Sequence, residues 1–302
     1  MKKKGLMIGG ICLAVVAGIL GYNHEAVRVV FHNVYSPSVK LEESTEWDGG
    51  NSYEKLQYSE VSENDYLDLY VPDSDEPMPM IVMVHGGGFV FIDSQSRQAQ
   101  LMYRYFRDHG YACASINYRL AQEAAFPAGV EDVKSAIRFL RANAEKYGYD
   151  PECFAIWGES AGGYLSVICG ASNDEEFNSV PFIGEDENHP VSCEVQVNLD
   201  YYGCMEFGTQ AADYKELKIP KVVQWVSGLW LTGAIKDTGY NDVESYWMRK
   251  DVNTLTQEEK DTYSPLYYIQ KNLTPENSPS VLIWHGDADL SVPYLQSERL
   301  NE

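Results

Sequence analysis

Gly158-Glu159-Ser160-Ala161-Gly162 sets a serine between two glycines at the spacing of a strand-to-helix turn, and it is the stretch of this chain best suited to nucleophilic chemistry. Such a Gly-x-Ser-x-Gly elbow holds its serine on a strained backbone and projects the hydroxyl above the end of a sheet. The flanks give the pattern its weight. Cys153-Phe154-Ala155-Ile156-Trp157 reads as a short buried strand, and Ala161 to Gly170 as a helix of small residues packed close behind it.

The elements that must position this turn alternate along the chain. Tyr53 to Val61 and Asp65 to Val71 read as a hairpin turning at Ser62-Glu63-Asn64. Met80 to Val84 is a buried strand, followed by His85-Gly86-Gly87-Gly88-Phe89 and a helix from Ser94 to His109. Tyr111 to Asn117 is the next strand, and Pro127 to Tyr147 a long amphipathic helix with its proline in the first turn. After the elbow helix, Glu194 to Leu199 and Ser280 to Trp284 are strands. The alternation predicts a mainly parallel sheet covered by helices on both faces. The interval from Tyr201 to Pro279 is too long for a simple connection and predicts a helical excursion over about 201–279. Trp225, Trp230 and Trp247 supply its apolar surface, as packing within the excursion ahead of lining a pocket.

At this point the chain resembles the α/β-hydrolase superfamily, and within it the carboxylesterases with a His-Gly-Gly-Gly loop, both hormone-sensitive-lipase-like and bacterial feruloyl- and acetyl-esterase-like. The residues that carry the resemblance are His85 to Phe89, Asn117-Tyr118-Arg119-Leu120, Gly158 to Gly163, and His285-Gly286-Asp287-Ala288-Asp289 with Val292-Pro293, in family order from about Trp47 onward. The resemblance implies ester hydrolysis through a serine acyl-enzyme, with no metal and no organic cofactor. Ser160 is the implied nucleophile. The amides of Gly87, Gly88 and Ala161 form the implied oxyanion hole, where fixed donors stabilise a tetrahedral intermediate without reorganising. Asp289 is the implied acid that orients a histidine, with Asp287 as its competitor. His85, His285 and Asp132 take structural places in the same pattern. Glu159 fills the variable elbow position, expected to be hydrogen-bonded or solvated before it touches substrate. The implied substrate is a small-molecule or carbohydrate-linked ester; the alternatives are an arylformamidase-like amide hydrolase and a non-catalytic binding protein on the same fold.

The pattern then breaks. This fold orders its triad as serine, acid and histidine, yet no histidine follows Asp289. His24 and His32 lie near the N-terminus, and His109 and His189 sit on the wrong side of their elements. The last strand and the histidine loop are missing, which leaves Ser280–Trp284 as an exposed edge. The expectation is a hydrolase domain over 47–302, C-terminally incomplete, with catalysis impaired; a natural inactive relative and a histidine from a partner chain are the other readings.

Composition bounds the rest. A net charge of −22 argues against nucleic acid as a partner. Six cysteines in a chain of 302 residues do not make a disulfide scaffold. Cys12 sits in the N-terminal run, Cys113, Cys153 and Cys169 read as core residues, and Cys193 and Cys204 are the candidates for a bridge. Lys2-Lys3-Lys4 precedes an uncharged run from Gly5 to Tyr22, which predicts a signal anchor or signal peptide over 1–22, followed by a connector over 23–46. A single pass with the catalytic domain outside the cytoplasm is the first expectation, and secretion after cleavage the second. Oligomeric state is open.

Overall fold

The computed structural model of the chain describes residues 49–221, 224 and 233–302. The expectations for the N-terminal run, the connector, Cys12, His24, His32, Trp225 and Trp230 lie outside the described residues. Among the described residues no helix is long and apolar enough to cross a membrane.

The strands are β1 (Gly50–Gln57), β2 (Tyr66–Pro72), β3 (Met78–Val84), β4 (Ala112–Ile116), β5 (Tyr149–Glu159), β6 (Val197–Tyr201) and β7 (Ser280–Trp284), in the spatial order β1-β2-β4-β3-β5-β6-β7. The hairpin of β1 and β2 joins β4 antiparallel. From β4 through β3, β5 and β6 to β7 every pairing is parallel. Parallel strands need crossovers and so are covered on both faces, and the side chains of β3 record this. Met80, Val82 and Val84 point into one core, Ile81 and Met83 into the other.

Helix α1 (Arg97–Asp108), capped by Ser96, covers the second face with Tyr103, next to Met83 and Trp157. On the first face lie α2 (Ala128–Ala142), with Val130, Val133, Ile137 and Leu140, and the elbow helix α3 (Ala161–Ala171), with Leu165 and Ile168. The long helix expected from Pro127 to Tyr147 is interrupted. Asn143 folds its side-chain amide back onto the Phe139 carbonyl at 2.8 Å, and only one further turn, Ala144–Tyr147, follows. A local side-chain bond of this kind competes with the helix ladder. A second correction concerns Cys153, which lies in an exposed stretch of β5, residues 151–153, rather than in the core.

The excursion after β6 is built from α4 (Gln210–Glu216), α5 (Val243–Met248) and α6 (Pro265–Asn272). Trp247 is buried and stacks on Phe89 with ring centroids 4.3 Å apart, so it packs the excursion against the loop after β3. Tyr164 of the elbow helix donates to the Tyr263 carbonyl at 2.7 Å. Helix α7 (Leu295–Asn301) is tied to α4 through Gln296 and Arg299, both bonded to the buried Asp213. Together these elements make the α/β-hydrolase architecture.

Candidate active site

Ser160 stands between the end of β5 and the start of α3 with φ 53° and ψ −117°. A non-glycine residue at positive φ is strained and persists only where its surroundings over-determine it. Here the surroundings do. A Cβ on Gly158 would come within 2.1 Å of the Gly162 carbonyl oxygen, and one on Gly162 within 2.1 Å of the Val84 carbonyl oxygen. The turn can close only because both positions lack a side chain. The Ser160 amide is also tied to the Tyr201 carbonyl of the neighbouring β6 at 2.8 Å.

The glycine-rich loop after β3 lies against this elbow. Gly87 and Gly88 have φ of 98° and 59°, and a Cβ on Gly87 would meet the Phe91 carbonyl oxygen at 2.0 Å. The Gly87 carbonyl is used by the amides of Val90 and Phe91, while no protein acceptor among the described residues takes the Gly87 or Gly88 amide. Below the loop, Glu159 is buried and holds it in place. Its carboxylate accepts from the Tyr202 hydroxyl and from the Gly86 amide. Burial nevertheless holds the Glu159 carboxyl above the usual range, against those two bonds. Glu159 thus takes the hydrogen-bonded role and does not line the cavity beside Ser160. Tyr202, its partner, escaped the sequence reading; it follows β6 and carries no motif signal.

His85 is fully enclosed, stacked on Tyr118 at 4.4 Å, with Nδ1 2.9 Å from the Gly86 carbonyl. That contact places the proton on Nδ1, because a carbonyl can only accept. Burial lowers its pKa to about 4. Tyr118 in turn donates to the His85 carbonyl at 3.0 Å. The loop bearing Tyr118 is anchored next door, where Arg119 forks onto the fully buried Asp132 at 2.7 and 3.0 Å. The Asn117–Leu120 run therefore acts as a buttress for the glycine loop.

The acid candidate lies in the loop after β7. Asp289 Oδ1 accepts from the amides of Ser291 and Val292 at 2.7 and 2.9 Å, and Oδ2 is 3.7 Å from His285 Nε2. Asp287 is exposed. His285 is committed within its own loop, Nε2 donating to the Val292 carbonyl at 2.9 Å and Nδ1 accepting from Ser297 at 2.6 Å. Tyr214 of α4 donates to the Ser291 carbonyl at 2.8 Å, which ties the excursion to the acid loop.

These parts meet at a cavity of about 420 Å³ bordered by Ser160, Ala161, Gly88, Phe89, Ser291 and Val292 on the sheet side, with the excursion opposite. Gly87 and Asp289 stand outside its lining. No described histidine lines it either: His109 closes α1 onto the Tyr105 carbonyl, and His189 pairs with Asp186 on the surface. Among the described residues there is no cluster able to hold a metal ion. The bridge considered between Cys193 and Cys204 is absent. Each thiol is separately engaged, Cys193 with Asp174 at 3.0 Å and Cys204 with Gln210 at 3.5 Å.

The BD-FAE family model matches residues 67–302. The esterase LipC of Mycobacterium tuberculosis is 26% identical over 228 residues, 75% of this chain and 48% of LipC. The esterase LipQ of the same bacterium is 26% identical over 219 residues, 72% of this chain and 44% of LipQ. The chain thus spans about half the length of the curated relatives it matches. Among solved structures, a truncated form of a carbohydrate esterase from gut microbiota superposes with a TM-score of 0.62 at 25% identity, covering 83% of this chain and 82% of that one. Esterase Est2 of Thermogutta terrifontis shares the fold, with a TM-score of 0.56 at 22% identity over 85% of this chain and 78% of that one.

Proposed function

We propose, from the BD-FAE family to which this chain belongs, that it is a carboxylic-ester hydrolase working through an acyl-enzyme on Ser160. The single observation that carries the reading is the strained Ser160 backbone at the mouth of a cavity that also holds Gly88 and Ala161. The Ser160 hydroxyl attacks the ester carbonyl. The amides of Gly87, Gly88 and Ala161 are the proposed donors to the oxyanion, two of them without a protein acceptor. The alcohol leaves with a proton, and water then releases the acid. Asp289 is the proposed acid, its Oδ1 already fixed by two backbone amides.

The proton transfers need a base, and no described histidine reaches the cavity. A polypeptide of these 302 residues is accordingly proposed to turn over slowly, below an intact triad by about 10⁴- to 10⁶-fold. The same observation favours a second reading, a binding protein on this fold that has no turnover. Short-chain p-nitrophenyl ester hydrolysis separates the two. We expect weak turnover that free imidazole, as a diffusible base, stimulates and that Ser160→Ala abolishes. Turnover equal in both proteins would remove Ser160 from the chemistry, and none in either, with imidazole present, would favour the binding protein. The carbohydrate esterase among the structural neighbours supports an acyl group carried on a sugar or another small alcohol as the substrate. The N-terminal run supports attachment to the membrane with the hydrolase domain outside the cytoplasm.

A further inference from the structure

One acid in the cavity wall has no partner for half of its carboxylate. Glu244, in the first turn of α5, accepts from the Gly208 amide through Oε2 at 3.3 Å, while Oε1 is shielded from solvent and has no hydrogen-bond partner among the described residues. A buried polar atom without a partner is destabilising, so such an atom on a residue that lines the same cavity as Ser160 points to something that arrives later. Its neighbour Asp242 is different. Both of its oxygens are used by Ser245, at 2.7 Å to the amide and 2.9 Å to the hydroxyl, as the cap of α5.

The rest of the lining narrows what could arrive. Phe89, Phe207, Val252 and Val292 give the cavity an apolar part, and Gln210 and Asn241 add neutral polar groups. No lysine or arginine lines it among the described residues, so an anionic group would find no counter-charge. We infer that Glu244 is a specificity residue for the ester hydrolysis proposed above, its Oε1 meeting a hydroxyl on the substrate, so that the cavity selects neutral, hydroxyl-bearing esters over alkyl esters of equal size. The inference rests on the esterase reading. Burial, with the charge of Asp242, pushes the Glu244 carboxyl up to about 8, against the Gly208 amide and Lys260. Near neutral pH it is therefore mostly protonated, and a carboxylic acid can donate to a hydroxyl as well as accept from it. A cation would require the ionised form, which the same burial disfavours.

The test compares glyceryl monoacetate with n-butyl acetate, by acetate release with imidazole present, for the wild type, Glu244→Leu and Glu244→Gln. In Glu244→Leu the kcat/KM ratio of the hydroxylated over the alkyl ester should fall about 10- to 100-fold, the size of one hydrogen bond to a buried carboxyl. The fall should lie in KM, with n-butyl acetate turnover kept or improved. Glu244→Gln, which retains a donor and an acceptor, should restore most of the ratio. An unchanged ratio in Glu244→Leu, with n-butyl acetate turnover still dependent on Ser160, overturns the role of Glu244 and leaves the esterase reading standing. A fall of equal size for both esters, matched in Glu244→Gln, marks Glu244 as merely structural. Turnover independent of Ser160 strikes the esterase reading instead.

Discussion

The two strands of the parallel sheet that carry the proposed chemistry are held in opposite ways. From Phe154 onward β5 is enclosed: Phe154, Ile156 and Trp157 are each 1% exposed or less, and neighbouring strands flank both edges. At β7 the sheet ends, with Val281 46%, Leu282 53% and Trp284 64% exposed. The Ser160 turn is thus positioned by packing from several distant segments, whereas Asp289 is held mainly by bonds close in sequence, from Asp289 to Val292 and from His285 to Ser297 of α7, with Tyr214 of α4 as the tie from outside. Distance in sequence matters here. Strain at Ser160 is affordable because Val84, Gly162 and Tyr201 hold it from three elements, while the loop of Asp289 is closed mainly within the thirteen residues from His285 to Ser297, with Tyr214 of α4 added from outside.

Substitutions should reproduce this asymmetry. The largest effect is expected at the elbow. Gly162→Val puts a side chain into the Val84 carbonyl and should cost more than about 4–5 kcal/mol, read as loss of a cooperative unfolding transition in urea. Next comes the buttress. Arg119→Ala leaves the Asp132 carboxylate buried and unpaired, and should destabilise by about 3–5 kcal/mol in the same measurement; Arg119→Lys, which cannot fork, should recover only part of this.

A pH effect follows beside the elbow. Asp200, on β6 next to Gly158, has one oxygen on the Gly203 amide and the other without a partner among the described residues, and burial raises its pKa to about 7. A raised acid pKa means that the folded state holds its proton more tightly. The stability it contributes is complete below the unfolded value near 4 and is lost as pH rises towards 7, at up to about 1.4 kcal/mol per pH unit. Asp200→Asn should flatten that slope. His85 works with the opposite sign, since its pKa is depressed to about 4. Its contribution is present above about 6.5 and is lost as pH falls through 4.

The smallest effect is expected at the open edge, where Leu282→Ser or Trp284→Ser should move stability by about 0.5 kcal/mol or less. A cost above about 2 kcal/mol there would show that something covers β7 in solution, and the contrast between β5 and β7 would disappear.

The same contrast decides what was legible in the chain. The strand Ser280–Trp284 and the elbow could be read directly, because each is a short apolar run bounded by glycine or a polar break. The helix break at Asn143 could not, since the apolar periodicity runs straight through it and α2 ends where the Asn143 side chain and amide both turn back onto the Phe139 carbonyl. Cys153 was misplaced for a related reason: β5 begins four residues earlier than its apolar run, and residues 151–153 are exposed. Glu244 and Tyr202 left no signal at all. Their roles depend on the excursion folding back over the sheet, and neither spacing nor composition reports which face of a short helix meets a cavity.

The central proposal is that Ser160 is a preformed nucleophile that takes up the acyl group of an ester. Peptide mapping by mass spectrometry after exposure to p-nitrophenyl acetate tests this most directly. The account predicts one acetyl group per chain, on the peptide bearing Ser160, released faster when imidazole is added and absent in Ser160→Ala. Acetylation confined to lysines, or unchanged in Ser160→Ala, would contradict it.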